Sequence, residues 1–301
     1  MTFRPGSIPE LSEVISASAA RAQPLRISGR GTWLHGGAPV SADAAPLHLD
    51  AFGGIIEYEP GDLTITVGAA TTIAELDAVT AAHNQWCPLS PWGGNAGSVG
   101  ATIATATAGP YAHALGLPRD HVLGLEIVDG TGKVLRPGGK VVKNVAGFDL
   151  VRLMTGAWGT LGAITRVSLR LRARPVVDET WAVEVDAMRA IDAGGTLRRC
   201  NTPPLACAFV PDGLRTSFGL GEHAHLVVRI AGNAGYVSAA RAAVAALGRA
   251  HTIDAGIWTA LREAAPVPAV RVPMAAGVRS LNARVRSAFD PANILNPGIM
   301  G

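Results

Sequence analysis

The chain has 301 residues, 48% hydrophobic and only 16% charged, which excludes a disordered protein and leaves room for a sizeable core and two domains. The formal charge is +3, mildly basic. The arginines are scattered instead of gathered into a stripe, so nucleic acid is not an expected partner.

Residues 9–22 (PELSEVISASAARA) predict a helix with Leu11, Val14 and Ile15 on one face. A short strand at 25–27 runs into the glycine-rich SGRGTWLHGG of 28–37. Residues 47–50, 54–60 and 63–70 read as strands separated by turn signals, and 71–84 as a helix capped by Thr71 or Thr72 with Glu75 in its first turn. A second glycine-rich stretch follows, SPWGGNAGSVGATIATATAGP at 90–110, without a single charge. VLGLEIVDGTGKVLRPGG (122–139) predicts a hairpin turning at DGTG. Residues 146–159 read as a helix and 160–175 as a long strand.

The texture changes near residue 178. Strands at 179–185, 205–210 and 224–231, with helices at 186–199 and 234–249, predict a small α+β domain with helices on one face of an antiparallel sheet. A last helix at 277–288 leads into FDPANILNPGIMG.

Cys87, Cys200 and Cys207 have neither disulfide nor metal-cluster spacing and are expected as buried thiols in a reducing compartment. MTFRPGSIPE has no signal-peptide core, and no stretch reaches the roughly 18 apolar residues of a membrane span. The expected location is cytoplasmic, with membrane contact made only through partner subunits.

The two glycine-rich loops admit two readings. They are turns packed with small residues, or nests whose bare N–H groups reach a phosphate. GGNAGSVG (93–100) is neither a Rossmann nor a Walker fingerprint. A helix starting near Ser98 would add its N-terminal partial charge to a nest. A branched side chain at Gly97 is then expected to block the approach of a cofactor.

Several motifs resemble those of FAD-binding oxidoreductases of the vanillyl-alcohol oxidase or PCMH type: ISGRGTWLHGG (27–37), PWGGNAGSVGATIATATAGP (91–110), RDHVLGLEIVDGTGKVLRPGG (119–139), VKNVAGFDLVRLMTGAWGTLGAITRVSLRLRARP (142–175) and FDPANILNPGIM (289–300). Within that group they are most similar to E-type subunits of bacterial glycolate oxidases. The resemblance implies an α+β protein: a two-subdomain FAD-binding domain at 1–175, a small α+β cap of reduced ferredoxin-like form at 176–275, and a tail at 276–301 returning to the first domain. It implies that Gly29, Arg30, Gly31 and Thr32 cover the FAD pyrophosphate. Gly94, Gly97, Ser98, Gly100 and Ala101 would reach the pyrophosphate and flavin side, with Thr105 and Gly109 nearby. Gly159, Gly162 and Ile164 would lie along the cofactor, and Asn296 would return to the flavin ring. Lys143 and Asn144 either face the cofactor or end a strand, and Asp149 reads as a helix cap. Relatives that attach FAD covalently use a histidine where this chain has Gly31, so FAD is expected to be held non-covalently.

Oxidation of a 2-hydroxy acid needs a base, a cation for the carboxylate and a hydride path to the flavin. The histidine-rich metal motif of self-sufficient relatives is missing. His223 and His225 in GEHAHLVVRI come nearest and read as ordinary loop and strand residues, and His83, His113 and His121 stand alone. No metal and no catalytic residue are assigned. The expected role is a flavin subunit of a glycolate oxidase complex in glyoxylate metabolism. It would work beside a homologous flavin subunit and an iron–sulfur subunit, because this chain has no cysteine set for a cluster. A self-sufficient flavin oxidase and a flavin-free assembly subunit are the other readings.

Overall fold

The computed structural model describes residues 1–139, 149–185, 190–265 and 276–300, so Lys143 and Asn144 lie outside the described residues. In chain order the elements begin with α1 (Ile8–Ala20), β1 (Leu25–Ser28), β2 (Ala45–His48), β3 (Ile55–Glu59), β4 (Thr64–Gly68), α2 (Ile73–Ala81), β5 (Gln85–Trp86), α3 (Val99–Thr105) and α4 (Ala112–Leu115). Next come β6 (Val122–Val128), β7 (Val134–Leu135), α5 (Leu150–Met154), β8 (Ala163–Arg170), β9 (Arg172–Ala173), β10 (Val177–Glu184) and α6 (Ala190–Arg199). The chain continues through β11 (Ala206–Phe209), α7 (Asp212–Ser217), β12 (His225–Gly232), α8 (Ala234–Ala245), β13 (Ala250–Thr252), α9 (Ile257–Ala264) and α10 (Ala276–Phe289).

These elements form two units. The first holds Met1–Thr107, Pro118–Arg172 and the described C-terminal residues; the second holds Ala108–Leu117 and Ala173–Ala265. In the first, a five-stranded antiparallel sheet has the order β3-β4-β8-β6-β7. Alternate residues of its central strands (Ile65 and Val67, Leu125 and Ile127, Val167 and Leu169) point into one core, closed by Leu76 of α2 and Val99 and Ile103 of α3. The α2 start follows the expected chemistry: Thr72 accepts from Glu75 N–H at 3.0 Å, and Glu75 accepts from Thr72 N–H at 2.7 Å. A separate parallel pair, β1-β2, packs its Leu25 and Leu47 against Leu11 and Ile15 of α1 and against Ile294 and Leu295 of the tail. The tail is held as an extra strand edge, because Leu25 N–H donates to Ile294 O and Asn296 N–H to Leu25 O.

The second unit is an antiparallel sheet of order β11-β12-β10-β13. One face is apolar: Val183, Leu226, Val228 and Ile230 pack with Val237, Ala240 and Val244 of α8. The other face is polar at Arg229, which clasps Asp178 with Nε 2.8 Å from Oδ1 and donates to the Tyr111 hydroxyl. Burial raises the Tyr111 pKa while the nearby Arg229 and Arg262 pull it down.

The α+β class expected from the sequence is the one the chain adopts. Three local expectations need correction. The helix expected over 146–159 is described only at α5, because Gly156, Trp158 and Gly159 take φ of +83°, +55° and +70° and turn the chain out of the helix. The segments α7 and α9 were not expected, being only six and eight residues long. Of the three thiols only Cys87 is buried; Cys200 and Cys207 are half-buried. Burial pushes the Cys87 thiol up to about 12 and Cys207 to about 11. Alkylation of the native protein at pH 8, followed by peptide mapping, should therefore leave Cys87 unmodified; rapid labelling there would contradict the packing.

Candidate functional site

Within the first unit one cleft gathers most of the glycine-rich chemistry. It encloses about 820 Å³ of space including its open mouth. Its first wall is the loop leaving β1. The backbone N–H groups of Gly29, Arg30, Gly31, Thr32 and Trp33 have no acceptor among the described residues. Gly31 sits at φ +76°, where an L side chain is strained and glycine is not, a conformation found in anion-binding nests.

The second wall is α3 with the turn after β4. Ser98 caps α3 by accepting from Ala101 N–H at 3.2 Å. Here the structure differs from the expected helix-terminus nest. Val99 N–H is taken by Thr71 O and Gly100 N–H by Ala69 O, both at 2.8 Å. With Ala101 N–H on the cap, the first turn offers no open donors, and the open donors are those of the first loop. The walls meet closely: a Cβ on Gly29 would stand 2.8 Å from Ser98 Oγ, and one on Gly97 3.4 Å from Thr32 Oγ1.

The floor is formed by Trp158, Gly159, Gly162, Ile164, Asn296 and Ile299. Trp33 and Trp158 make an edge-to-face pair, centroids 5.9 Å apart at 81°. No residue lining the cleft is acidic, and Arg26 is its one cation among the described residues.

Of the residues expected from the sequence, Gly29, Gly31, Thr32, Ser98, Gly100, Ala101, Thr105, Gly159, Gly162, Ile164 and Asn296 line this cleft. Arg30 turns away: its Nε donates to Ala70 O at 2.9 Å and its guanidinium pairs with Glu75 at 3.7 Å. Gly94 (φ +86°) and Gly97 are buried and are not in the lining. Gly109 belongs to the second unit, where its carbonyl accepts from Ala112 N–H. Asp149 caps α5 through Arg152 N–H at 3.0 Å. His223 and His225 do not act together. The exposed His223 meets Glu184 at 3.3 Å, while buried His225 packs edge-on to His251. Among the described residues no group of three histidine, cysteine or acidic side chains could hold a metal. The lining residues missed from sequence include Arg26, Trp33, Ala69, Ala70, Trp158 and Ile299. The alanines carry no chemical signal, and Trp158 reads as the end of a helix.

Residues 1–138 match the family model of the FAD binding domain. This part of the chain is similar to FAD-binding domains. Glycolate oxidase subunit GlcE of Escherichia coli K12 is 35% identical over 182 residues, 60% of this chain and 51% of that protein. Glycolate oxidase subunit GlcD of Bacillus subtilis is 30% identical over 58% of this chain and 37% of its own length. The D-lactate dehydrogenase of Archaeoglobus fulgidus is 32% identical over 57% and 38%. The chain thus spans about half the length of the first relative and less of the others. The solved structure of an alkyldihydroxyacetonephosphate synthase superposes on 86% of this chain and 53% of its own with a TM-score of 0.70 at 17% identity, which shows a shared fold. No helix among the described residues is long and apolar enough to cross a membrane.

The cleft fits the cofactor that gives the domain its name. Unpartnered N–H groups suit a diphosphate, the lining has no carboxylate among the described residues to repel it, and apolar walls suit flat rings.

Proposed function

We propose that this chain holds FAD non-covalently in the cleft and is the flavin subunit of an oxidoreductase acting on a small 2-hydroxy acid, glycolate above others. It would pass electrons to a partner subunit. The observation that carries the reading is the row of unpartnered N–H groups from Gly29 to Trp33 on the wall opposite α3. The likeness to the glycolate oxidase subunits GlcE and GlcD supports the substrate class and a multi-subunit setting, in which the partners are a homologous flavin subunit and an iron–sulfur subunit.

FAD, when bound, supplies the acceptor for the hydride of the substrate. The chain's own residues bind and orient it. The first loop meets the diphosphate, the Ala69–Ala70 turn and α3 let it lie close to the backbone, and the indole pair borders the apolar end. Among the described residues the lining offers no histidine, lysine or carboxylate to take the hydroxyl proton, which supports reading the cleft as a cofactor cradle.

The test is a visible spectrum of the purified chain with and without added FAD, then anaerobic glycolate. Uptake of about one flavin per chain, with no bleaching until partner subunits are added, is expected. A chain that takes up no FAD would refute the cofactor reading. Bleaching by glycolate in the isolated chain would refute the subunit role.

A further inference from the structure

The residue expected to touch the flavin, Asn296, has its side-chain amide engaged elsewhere. It is 4% exposed and takes φ +45°. Its Oδ1 accepts from Ile27 N–H at 2.7 Å, and its Nδ2 donates to Trp158 O at 2.8 Å. Its own N–H donates to Leu25 O at 2.9 Å.

The two side-chain partners lie on different sides of the cleft, Ile27 on the strand that feeds the first wall and Trp158 in the floor. Ile27 leads through Ser28 into the loop of open N–H groups. Trp158 N–H donates to Ala104 O of α3 at 2.8 Å. At its other end α3 begins at Ser98, against which Gly29 is packed. The contacts close a circuit around the cleft: Ser98, α3, Ala104, Trp158, Asn296, Ile27, Gly29 and back to Ser98.

We propose that Asn296 is a positioning residue that sets the distance between the nest loop and the Trp158 turn, and that it acts on the cofactor through them. The chemistry of the side chain explains the choice. An amide presents one acceptor and one donor about as far apart as a peptide group does, so it bonds an N–H and a C=O together. Aspartate lacks the donor. Asparagine also adopts the left-handed conformation more readily than other side chains of its size. Gly159 makes room: a Cβ there would stand 2.8 Å from Asn296 Nδ2.

The proposal rests on the FAD reading for its ligand, not for its geometry. The test compares Asn296→Asp, which keeps the acceptor for Ile27 but sets a carboxylate against Trp158 O, with Asn296→Gly, which keeps the backbone conformation and removes both side-chain bonds. Both should weaken FAD binding by about tenfold or more in a fluorescence titration. Both should also change the near-ultraviolet circular dichroism of the indoles in the FAD-free protein, with the far-ultraviolet spectrum retained. Affinity within twofold of the parent would overturn the proposal. So would weaker binding with an unchanged indole signal, which marks direct contact with the ligand. If the parent takes up no FAD, the cofactor reading fails and the indole signal alone judges the staple. Hydrogen exchange of the unaltered protein covers variants that do not fold: the Ile27 and Asn296 amides should exchange at one common rate, and independent exchange would sink the idea.

Discussion

Gly100→Ala should abolish FAD uptake, while Gly97→Ala should leave it within a few fold of the parent. A Cβ on Gly100 would fall 2.7 Å from Ala69 Cβ and 2.9 Å from Ala69 O. Neither can swing aside, because Ala69 N–H is bonded to Thr165 O and its carbonyl to Gly100 N–H. The helix α3 must then lift off the end of β4. Overpacking of this kind costs about 1–3 kcal/mol. The larger effect is on the cleft, since Ala101, Ala104 and Thr105 move with the helix away from Ala69 and Ala70. At Gly97 the nearest atom to a new Cβ is Thr32 Oγ1 at 3.4 Å, an ordinary contact, and only a branched side chain such as valine would force the two loops apart. Flavin-to-protein absorbance ratios after desalting measure the difference. Equal loss in both variants would mean that the glycines serve the ligand by direct backbone contact and that the packing of α3 on β4 is secondary.

The same two glycines show what could be read in advance. The spacing of GGNAGSVG singled out a loop where backbone must come close to something, and Ser98 was legible as the start of a helix. What the glycines approach was not legible, because it depends on tertiary contacts: Gly100 faces Ala69, Gly29 faces Ser98, and Gly130 faces the tail at Asp290. DGTG is a further case. It reads as a turn, and Asp129 does accept from Thr131 and Lys133 N–H, with Gly132 at φ +85°. Gly130 has no left-handed conformation to maintain; its missing side chain lets Asp290 pack against it. Patterning found β8 because buried and exposed residues alternate along 166–170, and the other strands of the sheet because turn signals bound them. It gave no hint that 108–117 joins the second unit, since Tyr111 reaches Arg229 across 118 positions of sequence. Trp158 was hidden for a related reason. A large residue at φ +55° contradicts local preference and is held by bonds from Asn296 and to Ala104.

Asp290→Ala should be the most damaging change in the tail, and its effect should shrink as pH rises. Asp290 is 1% exposed, and its carboxylate accepts from Ile294 N–H at 3.1 Å and Leu295 N–H at 2.8 Å. Those bonds bend the chain so that Ile294 and Leu295 enter the core beside Leu25 and Leu47. Alanine leaves two buried N–H groups without acceptors and a void against Gly130, a loss of about 3 kcal/mol. Burial raises the Asp290 pKa above the ordinary 3.8, against the opposing pull of the Leu295 and Ile294 N–H groups. The folded protein therefore holds that proton more tightly than the unfolded chain does. The stabilisation linked to this shift is complete below the unfolded pKa and is lost as pH rises through the folded one. The stability gap between parent and Asp290→Ala, measured by urea unfolding, should accordingly be wider near pH 3.5 than at pH 7. A gap that widens toward neutral pH would show that the N–H groups outweigh burial and that the carboxylate is held in its charged form. The parent would then rely on an ionised anchor for the tail, and Asp290→Asn would be nearly as damaging as alanine at neutral pH.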